Sequence, residues 1–340
     1  MSTSQDALSE IIPQIDRITP ATALPLAELE IAGSNLGPQN DRVPGVSIDD
    51  ERADLLMASP GRMRIRVPED GRTGQLVVCL PSGKTTSAAV SIGRKLSDGL
   101  HPVTSPAVSP SGMIYATISG SRGKMMPVSV VRISPSGQGT PFASGILNAT
   151  GLAFNPDGEL FVTSRAEGNV YRIDGSGEHS LYAEGMGVAT GAAFDREGNL
   201  YVGDRSGTIF KIDPVRRIFV YATLEPSVSA YHLAFDEEGT LFVTGPTLSP
   251  NEAIWAIDRK GTPRIWFRGL GRPQGLAFDG QGRLHVAASL NGERGLFRFT
   301  GKAEPERVVA ASTLVGVAFT PQSTAVLATQ DAVYDVVLSN

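Results

Sequence analysis

The chain has 340 residues, 30 of them Lys or Arg and 35 Asp or Glu, and its formal charge of −5 is dispersed along the sequence. There is no basic stripe for nucleic acid, and no run approaches the ~18 apolar residues of a membrane-spanning helix. Charged residues make up only 19% while Gly (38) and Pro (23) are abundant, which suits many short strands joined by tight turns and argues against a helical bundle.

The opening MSTSQDALSEIIPQ has neither a basic n-region nor an apolar h-region. It predicts no secretory signal and a cytoplasmic location, although a mature secreted form fits equally. Residues 11–95 then give six or seven short alternating strands separated by Gly and Pro, the pattern of a small β-sandwich. The single cysteine, Cys79 in QLVVCLPSG, is read as a small buried hydrophobe. Within this segment Ile18-Thr19-Pro20, Ile31-Ala32-Gly33-Ser34-Asn35-Leu36-Gly37, Val67-Pro68 and Ser82-Gly83 resemble an IPT/TIG immunoglobulin-like domain over nearly all of 11–95. The resemblance implies an accessory or spacer module without chemistry of its own.

Residues 96–340 are dominated by a repeat. ATGLAFNPDGELFVTSRAEGNVYRI (149–173) recurs as ATGAAFDREGNLYVGDRSGTIFKI (189–212), AYHLAFDEEGTLFVTGP (230–246) and PQGLAFDGQGRLHVAAS (273–289), with weaker copies at 104–120 and 314–329. The anchors Pro106, Gly151, Gly191, Leu233, Gly275 and Gly316 are spaced by 45, 40, 42, 42 and 41 residues. Each copy reads as four strands, and a forty-residue period of four strands predicts an all-β, six-bladed β-propeller. The last copy supplies only three strands, so residues near 91–98 are predicted to pair with the C-terminal segment and close the ring, leaving no open edge. The turn acids Asp157, Asp195, Asp236 and Asp279 look like part of a calcium loop, but their recurrence at one hairpin assigns them to turn formation.

The first strand of a blade is innermost and forms a hairpin with the second, so the start of one and the end of the other open on the same face. On that mouth the slot before the anchor is Ser105, Thr150, Thr190, His232, Gln274 and Val315, while the second-strand ends add Arg165, Asp204, Arg205, Pro246, Thr247 and Ser289, flanked by Tyr231 and Arg272. His232 and Asp204 are the candidate catalytic pair, His232 because imidazole exchanges protons near neutral pH. Arg205, Gln274, Arg272, Arg165, Tyr231, Thr190 and Thr150 are candidate ligand-binding residues, the guanidiniums matching carboxylate or phosphate. The competing reading is that His232 only fills the channel and that Asp204 and Arg205 form a structural ion pair.

The repeated GLAFD, a turn glycine and an alternating strand resemble the gluconolactonase/senescence-marker-protein and NHL-repeat group of six-bladed propellers over about 100–340, a pattern that specifies fold better than activity. The resemblance implies a divalent cation, Ca²⁺ or Mg²⁺, held by Glu, Asn and Asp. Here the first-blade stretch is Thr104-Ser105-Pro106 and the ring slots hold no carboxylate or Asn, whereas a hard cation wants several oxygen ligands. No metal ligand is therefore assigned and the cofactor stays open. A more distant resemblance to virginiamycin B lyase makes a His-centred lyase a less favoured variant. Two functions remain open: a protein binding a small polar or anionic molecule at the mouth, in its enzymatic form a lactone or ester hydrolase with a degenerate metal site, or a non-catalytic module for a protein or glycan partner.

Overall fold

The computed structural model describes residues 12–249, 251–301 and 304–338. Every regular element among them is a β-strand. Among the described residues no helix is long and apolar enough to cross a membrane. The chain divides into two compact units, and the division is not a single cut: Arg307–Ser312 groups with the residues up to Arg94, while Lys95–Glu306 and Thr313–Asp335 form the second unit.

In the first unit, Gln14–Thr19, Glu28–Ser34, Arg62–Arg66 and Asp54–Ser59 form one antiparallel sheet. Thr22–Ala23, Thr85–Ile92, Gly74–Cys79, Gly45–Ile48 and Glu51–Arg52 are neighbours in that order in another. Alternation turns Leu29, Ile31, Ile48, Met63, Ile65 and Leu76 into one fully buried apolar core. The Gly33–Gly37 turn is shaped by close contact: a Cβ on Gly33 would stand 2.0 Å from the Gln14 carbonyl, Asn35 takes φ 58°, and Leu36 is fully buried. Cys79 is exposed, contrary to the sequence expectation. The two-residue period explains the error, since Leu76 and Val78 point inward and leave Cys79 facing outward at the last position of its strand.

The second unit is a β-propeller. Blade 1 comprises Ala107–Val108, Ile114–Thr117, Val130–Ile133 and Gly139–Ala143; blade 2, Ala149–Phe154, Leu160–Ser164, Asn169–Ile173 and His179–Ala183; blade 3, Ala189–Phe194, Leu200–Asp204, Thr208–Ile212 and Ile218–Thr223. Blade 4 comprises His232–Phe235, Leu241–Thr244, Glu252–Ile257 and Pro263–Leu270, and blade 5 contributes Leu276–Phe278, Leu284–Leu290 and Glu293–Phe299. In the sixth sheet Arg94–Ser97 lies beside Val333–Val336, followed by Ala325–Ala328 and Gly316–Phe319, so a strand from before the repeats joins the last one.

Two repeated devices build the blades. Asp195, Asp236 and Asp279 each accept the backbone N–H four residues on, closing the first hairpin, and Asp174, Asp213 and Asp258 do the same for the second. In blade 2 the capping residue is Asn155, not Asp157. The second device is aromatic. Tyr115, Phe161, Tyr201 and Phe242 on second strands each meet, edge to face at 4.8–5.5 Å, the Phe ending the next blade's first strand and an aromatic on their own fourth strand. Such pairs add about 0.5–1.5 kcal/mol each beyond area burial. In blade 5 His285 takes this position and packs on Phe319.

Candidate functional site

The hairpin pairs Ala149 with Ser164, Ala189 with Asp204 and His232 with Thr244, so first-strand starts and second-strand ends do share one face. Four of the ring slots, however, are closed: Thr150, Thr190, His232 and Val315 are buried, while Ser105 and Gln274 are partly exposed. A Cβ on Gly151 would stand 2.2 Å from Thr190 O, one on Gly191 2.2 Å from Tyr231 O, and one on Gly316 2.4 Å from Ser105 Cα. With the innermost backbones this close, the slot side chains serve the ring. The Thr150 hydroxyl donates to Asn148 O, and the Thr190 hydroxyl donates to Gly203 O while accepting Tyr231 N–H. Both threonines are buried, as is Tyr231, whose ring fills space left by Gly203 and Gly245 and whose hydroxyl donates to Glu225 O. These three residues, read from sequence as ligand-binding, are ring packing. Gln274 is partly exposed, and its main chain bonds Ala287 O and Thr244 Oγ1.

His232 is buried and, among the described residues, neither ring nitrogen has a hydrogen-bond partner. Burial alone depresses its pKa, to about 3, with no charged group contributing. Asp204 does not face it: one carboxylate oxygen accepts Val188 N–H at 2.7 Å, the other the Ser206 hydroxyl. The proposed acid–base pair is therefore not assembled, and the alternative Asp204–Arg205 ion pair is not formed either. Arg205 instead donates to Ser227 O and Val228 O. Among the described residues no three His, Cys, Asp or Glu side chains gather to hold a metal. With Asp204 committed to the turn, the donors do not fit the divalent cation that the lactonase resemblance implies.

What the mouth does assemble is positive charge. Arg165 and Arg205 end the second strands of blades 2 and 3 at equivalent positions, their N–H groups bonded to Asn148 O and Val188 O. Arg165 Nη2 donates to Gly120 O at 3.0 Å, while its Nε is buried without a partner among the described residues. Burial, then the nearby charges of Arg205 and Arg122, lowers the Arg165 pKa. Arg122 comes from the second-to-third-strand loop of blade 1, which Asn148 clamps through Gly120 O, Ser121 O and Gly123 N–H. Beside it a cavity of about 510 Å³ is lined by His101, Ser119, Gly120, Lys124, Gln330 and Asp331. The Ser119 hydroxyl is buried there without a partner among the described residues. Arg272 is exposed at φ 45° in the loop entering blade 5.

Arg122, Lys124 and Ser119 were missed as site residues. Their signal was the spacing: 45 residues separate the first two anchors against 40–42 later, and the excess is this loop. No protein-family model matches the chain, and no curated protein matches it. Solved structures do share its fold. A gluconolactonase from Xanthomonas campestris is 14% identical, covering 87% of this chain and 97% of its own, with a TM-score of 0.59. A virginiamycin B lyase from Staphylococcus aureus is 14% identical over 88% of this chain and 96% of its own, TM-score 0.52. An auxiliary nutrient binding protein from Bacteroides thetaiotaomicron is 13% identical over 96% and 98%, TM-score 0.53. At these identities the likeness defines the class, an all-β propeller protein.

Proposed function

We propose that the protein binds a small anionic molecule at the propeller mouth, with Arg165, Arg205 and Arg122 as its recognition groups and the N-terminal unit as an IPT/TIG-like accessory module. The carrying observation is Arg165, partly buried and under the charges of two other guanidiniums, Arg205 and Arg122, with a buried N–H that nothing among the described residues satisfies. Clustered cations cost free energy in the free protein, and an anion with two or three oxygens relieves that repulsion while accepting the unused donor. The neighbouring cavity, with Lys124 and the free Ser119 hydroxyl, gives room for a polar body on that anion. Non-catalytic binding is favoured over hydrolysis, because His232 is sealed and neutral and Asp204 is spent on its turn. Ligand capture is also what the description of the Bacteroides protein names for that protein.

Calorimetry with inorganic phosphate, a sugar phosphate, a dicarboxylate and a neutral sugar tests the reading. An anion is expected to bind, more weakly as salt rises, and Arg205→Gln or Arg122→Gln to weaken it about tenfold or more. Anions that fail to bind, or that bind the variants unchanged, would refute it. A neutral sugar binding unaffected by the variants would favour the glycan-partner reading instead.

A further inference from the structure

The opposite end of the propeller, where the first-hairpin turns gather, carries a second and larger cavity of about 650 Å³. We propose that it binds a small organic cation: an ammonium carried on an apolar body.

The volume lies within the range that drug-sized ligands occupy. Its walls include Phe154, Phe194, Phe235 and Phe278, the residues that end the first strands of four successive blades. All four are only partly buried, and each is fixed edge to face by an aromatic of the preceding blade, so their cavity sides are held in place before any guest arrives. Aromatic surface buries apolar groups and attracts cations.

The charges at the rim decide the sign of the guest. Asp195 is satisfied by Asn199 and the Tyr201 hydroxyl, and Asp279 by Arg283. Arg259 gives two donors to Glu238 O, and the Lys211 ammonium stands 5.6 Å over the Tyr201 ring. Asp236 uses only one carboxylate oxygen, on the N–H groups of Glu238 and Thr240. Among the described residues no hydrogen bond engages its other oxygen, Glu197 or Glu237, and the lining as a whole sets five carboxylates, Asp195, Glu197, Asp236, Glu237 and Asp279, against three cations, Arg196, Lys211 and Arg259. The surplus is negative. One end of the ring thus gathers guanidiniums and the other combines aromatic walls with free carboxylates.

Three probes that share one ring and differ in charge test the assignment: benzyltrimethylammonium, benzyl alcohol and benzoate, titrated calorimetrically at low salt. Benzyltrimethylammonium is expected to bind best. The double variant Glu197→Gln/Glu237→Gln should weaken it about fivefold, and Phe235→Leu, which keeps apolar bulk, should weaken it without affecting benzyl alcohol. Arg205→Gln, at the other end, should leave it unchanged, which separates this site from the mouth. The assignment fails if benzoate or benzyl alcohol binds as tightly, if the glutamate variant binds the cation as wild type does, or if the cation gives no binding heat at millimolar concentration.

Discussion

Two histidines make the molecule's acid response a matter of single residues. His285 is fully buried against Phe319, and burial, only partly countered by Asp279 at 3.9 Å, pushes its pKa down to about 4. Since burial wins, the contact with Asp279 is between a neutral ring and a carboxylate that is already paired with Arg283. His232 is likewise held neutral, near 3. In the unfolded chain both take up a proton near 6.5, so between about pH 6.5 and 4 the unfolded state binds more protons than the folded one. Stability is then complete above pH 6.5 and falls as pH falls, by about 2 kcal/mol per histidine at pH 5. Denaturant titrations at pH 7.5 and 5 should show this loss. His285→Phe, which installs the aromatic used by sister blades, should retain about 2 kcal/mol of it, and an unchanged pH dependence in the variant would contradict the assignment. The sequence pointed to His232 as unusual for its position but could not tell a reactive imidazole from a sealed one. That distinction depends on whether neighbouring backbones leave room, which no residue pattern states.

At the scale of elements, the strands and their order were legible because period-two alternation and hairpin chemistry repeat from blade to blade. The turn aspartates were legible for the same reason, and the one misassignment, Asp157 for Asn155, came from reading the acid instead of the position. The tightness of the inner ring was not legible. Gly151, Gly191 and Gly316 looked like repeat anchors, yet each is small because a neighbouring blade's backbone occupies the place of its side chain. Gly191→Ala should therefore cost about 3 kcal/mol through forced separation of blades 3 and 4. Gly175→Ala, in a hairpin with nothing within 4 Å of the added carbon, should be neutral or stabilise by up to about 0.5 kcal/mol. Similar melting temperatures for the two variants would refute this account of the ring. The arginine cluster was half legible: Arg165 and Arg205 follow from the repeat, whereas Arg122 sits in the loop where the repeat breaks.

At the scale of the whole molecule, the propeller depends on a strand from before its first repeat, Arg94–Ser97, lying beside Val333–Val336. Truncation after Gln330 should remove that pairing and abolish cooperative unfolding of the propeller by calorimetry, and a truncated protein melting as wild type does would rule out the strand's role. The junction it completes also differs in substance. Where the other blades meet through rings, the closing core of Leu96, Leu100, Ile114, Val131, Val315, Val326 and Val333 is aliphatic throughout. A closed circle of blades has no free end from which to fray, so it must part at one seam. This seam, whose buried core among the described residues holds no aromatic ring, is the circle's clasp. The cavity beside the Arg122 loop is lined from both sides of that clasp, by His101 and Ser119 and by Gln330 and Asp331, so a guest held there would also hold the circle shut.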